Sequence, residues 1–151
     1  MASFSLGRSK TEQVVVTVYG YERAVTGEYF DDNWVSVEVS VSVGAFSGRY
    51  QAAFLTEDFV RFQSSLQPLV ETLTGQAEFT TLEEQLTLKV AAVSRGNIEV
   101  NGIALDQAGI GNKFQFHLEF DQTHLAETLR DLNEIKASFP IRSASQVTHA
   151  K

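Results

Sequence analysis

The stretch Trp34-Val35-Ser36-Val37-Glu38-Val39-Ser40-Val41-Ser42-Val43 alternates between apolar and polar side chains along almost its whole length. Successive side chains of a strand point to opposite faces. Val35, Val37, Val39, Val41 and Val43 therefore point one way, and Trp34, Ser36, Glu38, Ser40 and Ser42 the other. A strand that is apolar on one side belongs in an antiparallel sheet with one packed and one wet face. Working outward, Gly44 to Gly48 makes a hairpin connection, after which Phe46, Tyr50, Ala52 and Phe54 alternate against Arg49, Gln51 and Ala53. Upstream, Val14, Val16 and Val18 alternate with Val15, Thr17 and Tyr19, a strand apolar on both sides. Gly20 to Asn33 between them reads as a loop holding Gly27 and the acidic cluster Glu28, Asp31 and Asp32.

Beyond Phe54 the period changes. Thr56 is placed to cap a helix, with Glu57 and Asp58 at the positive end of its dipole. Phe59, Phe62, Leu66, Leu69, Val70 and Leu73 follow at helical spacing. Pro68 lacks an N–H and is expected to kink this helix or to start a second short one, and Gly75 to close it. Four strands come next, marked by Ala77 and Phe79; by Leu86, Leu88, Val90 and Ala92; by Ile98 and Val100; and by Phe114, Phe116, Leu118 and Phe120. The apolar phase slips at Gly102, because Ile103 and Leu105 run out of step, which predicts a bulge or a turn at Asn101-Gly102. Asp121 caps the last helix, whose buried stripe is Leu125, Leu129, Leu132 and Ile135.

The expected fold class is α+β. It has a largely antiparallel meander sheet of about six to seven strands, with two amphipathic helices on one face and the polar face open. The element order is β-β-β-α-β-β-β-β-α. Residues 1–141 are expected to form a single domain, and 142–151 a polar, fraying tail.

A chain of 151 residues with 43% hydrophobic content and 11 Phe can bury a real core. With no Cys it has no disulfide framework, no thiolate metal site and no Cys nucleophile, which suits a reducing cytoplasm. No run of ~18 apolar residues predicts a membrane span, and Met1 to Gln13 lacks the apolar stretch of a signal peptide. The net charge is −7 and the 12 basic residues form no stripe, so direct nucleic-acid binding is not expected. An acidic surface favours a basic partner, although it also serves plain solubility.

Few residues suggest catalysis. Ser47 lies between glycines, but in a hairpin without the strand-to-helix exit of a nucleophile elbow. His117 and Glu119 share a strand face and could bind zinc with Asp121 or His124; a solvated strand face is the plainer reading. Glu83-Glu84 and the cluster Glu28, Asp31 and Asp32 are adjacent acids in turns, where carboxylates are ordinarily solvated. Gly109 and Gly111 lack the spacing and the lysine of a phosphate loop. No catalytic residue, metal or cofactor is expected. The contact candidates are Glu28, Asp31, Asp32, Trp34 and Glu38, an aromatic ringed by acids that suits a basic protein partner.

The order of marks carries a resemblance. It runs Asp32-Asn33-Trp34, Gly44-x-Phe46-x-Gly48, Phe54-Leu55-Thr56-Glu57, Glu83-Glu84-x-Leu86, Arg95-Gly96-Asn97-Ile98, Phe120-Asp121-Gln122-Thr123-x-Leu125 and Phe139-Pro140. Over roughly residues 14 to 141 the chain resembles the WapI-type immunity proteins. The resemblance implies a small, non-enzymatic bacterial cytoplasmic protein that neutralises a cognate basic toxin domain, a nuclease. It assigns no contact residue. The alternative is a homo-oligomeric binding or scaffold module, a homodimer for instance, built on the open polar face.

Overall fold

A computed structural model describes residues 1–142. The elements are β1 (Ala2–Ser9), β2 (Glu12–Tyr21), α1 (Tyr29–Asn33), β3 (Trp34–Val43), β4 (Phe46–Leu55), α2 (Thr56–Thr72), β5 (Gln76–Phe79), β6 (Leu86–Ala92), β7 (Asn97–Leu105), β8 (Lys113–Asp121) and α3 (Leu125–Ser138). The α+β class and the antiparallel pairing hold. The strands divide, however, into two four-stranded sheets, β1-β2-β3-β4 and β5-β6-β7-β8, rather than forming one sheet of six or seven. The additional strand is β1, whose Phe4 and Leu6 are buried while Ser3 and Ser5 are not. Two apolar residues in a polar terminus are too short a pattern to announce a strand.

In β3 every second residue from Val35 to Val41 is buried, as the alternation requires. Neighbours keep the same parity: Val16 lies opposite Val39, and Val37 opposite Ala52. The inner faces of both sheets meet in one buried cluster, joined by Phe59, Phe62, Leu66 and Leu69 of α2 and by Leu125, Leu129, Leu132 and Ile135 of α3. The helices pack on each other, α2 along β5 and α3 along β1, the first strand of each sheet. Thr128 fixes the second contact by donating its hydroxyl to the Ser5 carbonyl at 2.7 Å. The expected polar face is therefore two surfaces. Ser36, Glu38 and Ser40 lie on the outside of the first sheet, and Thr87, Lys89, Gln115, His117 and Glu119 on the outside of the second.

Helix termini differ in detail from expectation. Thr56 is the first residue of α2 rather than its cap; the Asp58 carboxylate accepts the Leu55 N–H at 2.9 Å. Pro68 does not divide the helix, which runs unbroken to Thr72 with its buried face held in the core. The left-handed terminal residue is Leu73, at φ 56°, two positions before Gly75. Asp121 caps the 3₁₀ turn that leads into α3, accepting the Thr123 N–H at 2.9 Å, rather than α3 itself, whose N-cap position is His124.

No bulge occurs at Gly102. β7 stays in register with β8 from Asn97 opposite Asp121 to Leu105 opposite Lys113. Gly102 instead vacates the inner face for the ring of Phe116 across the ladder; a Cβ there would lie 2.2 Å from its Cζ. Phe116 is itself stacked on Phe114, with centroids 5.7 Å apart. Gly102→Ala is therefore expected to displace the ring and cost about 1–3 kcal/mol by overpacking. Urea unfolding checks this, and Phe116→Leu should restore part of the loss in the double variant.

Candidate partner-binding surface

Residues 22–33 hold most of the candidates, and the fold of this segment separates them. Asp32 is 1% exposed. Its carboxylate accepts the Thr26 N–H at 2.6 Å, the Thr26 hydroxyl at 2.7 Å and the Gly27 N–H at 2.9 Å. It is the internal anchor of the loop and offers a partner no surface. Burial pushes its carboxyl up, but the Thr26 and Gly27 hydrogen bonds and the Arg142 charge outweigh it, and the net shift is below the ordinary 3.8. A lowered pKa means that this anchoring is present above about pH 3.8 and lost as the pH falls through the lower folded value. The Thr26 amide resonance is expected to titrate with a midpoint below 3.8.

Asn33, fully buried, extends the same anchoring. Its Nδ2 donates to the carbonyls of Tyr29 and Arg142, at 2.7 and 2.6 Å. Its Oδ1 accepts the Thr56 hydroxyl and the Arg142 N–H, at 2.7 and 2.8 Å. Arg142, expected to begin a free tail, is thus tied to α1 and lies over the Tyr21 ring; the rest of that tail falls outside the described residues.

Glu28 and Asp31 remain on the surface. Glu28 is exposed at the start of α1, and Asp31 is half-exposed in an ion pair with Arg23 at 2.9 Å. Trp34 and Glu38 lie on the outer face of the first sheet instead. Glu38 is engaged there by Arg49 at 3.5 Å and by Gln51 at 3.2 Å. The five candidates therefore occupy three places: a rim, the interior and a sheet face.

The rim holds residues that the sequence pattern did not single out. Phe30 is 55% exposed and Leu82 is 64% exposed. Both line a groove of about 330 Å³ with Leu55, Glu57, Asp58, Arg61, Thr80 and Thr81. Tyr29 holds Phe30 edge-to-face at 5.5 Å and donates its hydroxyl to Glu57 at 2.9 Å. Arg61 bonds Asp58 at 2.9 Å and the Thr80 carbonyl at 3.1 Å. Burial pushes the Asp58 carboxyl up, and the Leu55 N–H and Arg61 only partly offset this. Neither Phe30 nor Leu82 sits in a periodic segment, so composition alone could have flagged them: an aromatic and a leucine, each next to acids, one in the single-turn α1 and one in the loop after β5.

On the second sheet, His117 lies 3.0 Å from Asn101 Oδ1, 3.6 Å from Glu99 and 3.7 Å from Glu119. His124 packs against Phe120. Among the described residues no group of three His, Cys, Asp or Glu side chains is placed to hold a metal ion. No helix among them is long and apolar enough to cross a membrane.

Two antiparallel sheets enclose one core and leave their outer faces and an acidic, partly apolar rim on the surface. This chain belongs to the immunity protein WapI-like family, whose model matches residues 5–140. No curated protein matches it. Among solved structures, the crystal structures of Trypanosoma brucei MRP1/MRP2 are similar to it at 10% identity, covering 91% of this chain and 86% of that one, with a TM-score of 0.49. That likeness is too slight to bear on function.

Proposed function

We propose that this protein is a non-enzymatic, cytoplasmic immunity protein that binds the basic catalytic domain of a cognate nuclease toxin and blocks it. The family match over residues 5–140 carries this reading. The charge of −7 supports it physically. A nuclease presents a basic cleft to its phosphates, and an acidic protein occupies or shields such a cleft without chemistry, its field speeding the encounter.

The test is co-expression with the nuclease domain of a WapI-type toxin drawn from the same genome as this chain. Growth should be restored, and the purified pair should migrate as a complex. Unrelieved toxicity with no complex would remove the reading. Glu28→Lys with Asp31→Lys should slow association about tenfold at low ionic strength, the difference shrinking as salt is added. Stopped-flow mixing across a salt series checks this. Asp32 is excluded from the reversal because its carboxylate holds the loop together.

A further inference from the structure

We infer that the groove between Phe30 and Leu82 is the seat of the partner, and that it takes a basic segment bearing one apolar side chain. This rests on the immunity reading and goes beyond it by naming the surface and the chemistry of what fills it.

Three observations converge there. Large apolar side chains stand exposed on both sides of the groove, with buried Leu55 lining it. Phe30 is already positioned by Tyr29, itself tethered to Glu57, so little side-chain freedom is lost when a partner packs against it. Aromatic anchors in such settings dominate interface energetics.

Charge sets the sign of the occupant. Glu57 lines the groove, with the Asp58 carboxylate buried beneath it, and in sequence Glu28 and Asp31 bracket Tyr29-Phe30 while Glu83 and Glu84 follow Leu82. They outnumber the guanidiniums of Arg61 and Arg23, which are held by Glu57 and Asp58, and by Asp31, respectively. Such a rim repels phosphate and attracts lysine and arginine. A second copy of this acidic chain would meet like charge at the same place.

The third observation is polar. Thr81 lines the groove, is 7% exposed, and its Oγ1 is buried with no hydrogen-bond partner among the described residues. A buried hydroxyl left unpaired is costly; it is closed to solvent in the free chain, so an N–H from an incoming basic side chain would satisfy it only once the loop from Thr80 to Leu82 shifts on binding.

The experiment uses the full chain and the WapI-type toxin domain that co-expression shows it to neutralise. Calorimetry should show Phe30→Ser and Leu82→Ser each weakening binding about thirtyfold. Ser40→Ala and Gln115→Ala, on the outer faces of the two sheets, should leave it unchanged. Thr81→Val should raise the unfolding midpoint of the free chain while weakening binding about tenfold, a combination that a purely structural role would not produce. On the unaltered chain, amides of residues 28–31 and 80–84 should gain protection from exchange in the complex.

Binding by the unaltered chain, with unchanged affinity in the Phe30/Leu82 double variant and no protection at those amides, overturns the groove and leaves the immunity reading standing. Absence of both binding and growth protection overturns the immunity reading, and the groove with it. A chain that dimerises alone, and is dispersed by Phe30→Ser, reassigns the groove to self-association and also overturns the inference.

Discussion

Phe79→Ala is expected to destabilise the protein by about 3–5 kcal/mol, a large share of the 5–15 kcal/mol typical of a domain. Phe79 is fully buried on β5. Its ring meets Phe4 of β1 at 5.9 Å, Phe54 of β4 at 5.5 Å, and Phe59 and Phe62 of α2 at 5.9 and 5.4 Å. One side chain thus joins both sheets and the helix that carries the chain between them. Truncation to Ala removes the ring's transfer energy and leaves a cavity that four neighbouring rings cannot all close. Phe79→Leu retains much of the volume and should cost roughly half as much. Urea denaturation with fluorescence from Trp34 measures both. A loss below about 1.5 kcal/mol for the alanine variant would mean that the cluster repacks and the two sheets are not locked together through it.

Asn33→Ala is expected to cost about 3 kcal/mol or more, because it strands several groups at once. The Thr56 hydroxyl, the Arg142 N–H and the carbonyls of Tyr29 and Arg142 all lose their side-chain partner. These groups belong to α1, to the start of α2 and to the end of the described chain, so one side chain holds three segments that are distant in sequence. Amide exchange across residues 24–31 should accelerate more than in the core strands. If the reading of the groove holds, binding should weaken too, since Phe30 rides on the segment that Asn33 secures. Asn33→Asp retains the acceptor but loses the donor and buries a charge, so it should not rescue the stability.

Much of this architecture was legible because its signals are local. The alternation reappears in the burial of β3 from Val35 to Val41, the stripe Leu125, Leu129, Leu132 and Ile135 is buried as a unit, and Asp121 caps the turn that opens into α3. Parity and helical spacing are properties of a few consecutive residues, and no distant contact reverses them. At Gly102 the same local reading failed. The apparent slip of phase is a vacancy filled by Phe116 from another strand, which no window along one strand can reveal.

The candidate surface was less legible. An acidic loop is visible in Glu28, Asp31 and Asp32, but residue type cannot separate a carboxylate that faces solvent from one that closes a turn. Asp32 turns inward because the Thr26 and Gly27 amides need an acceptor, whereas Glu28 and Asp31 remain outside. Leu82 joins Phe30 only because α2 returns the chain so that the loop after β5 lies beside α1, which precedes β3.

By itself, then, the sequence determined the α+β class, the inward faces of strands such as β3, β6 and β8 and most of the buried stripes of α2 and α3, since these follow from the order of side chains along a regular backbone. Tertiary structure alone decided that the strands part into two sheets, that β1 completes the first, and that Phe30, Leu82 and the rim acids share one surface. Those outcomes depend on where α2 and α3 set the chain down, and that position is chosen by the packing of Phe4, Phe54, Phe59, Phe62 and Phe79 across the core.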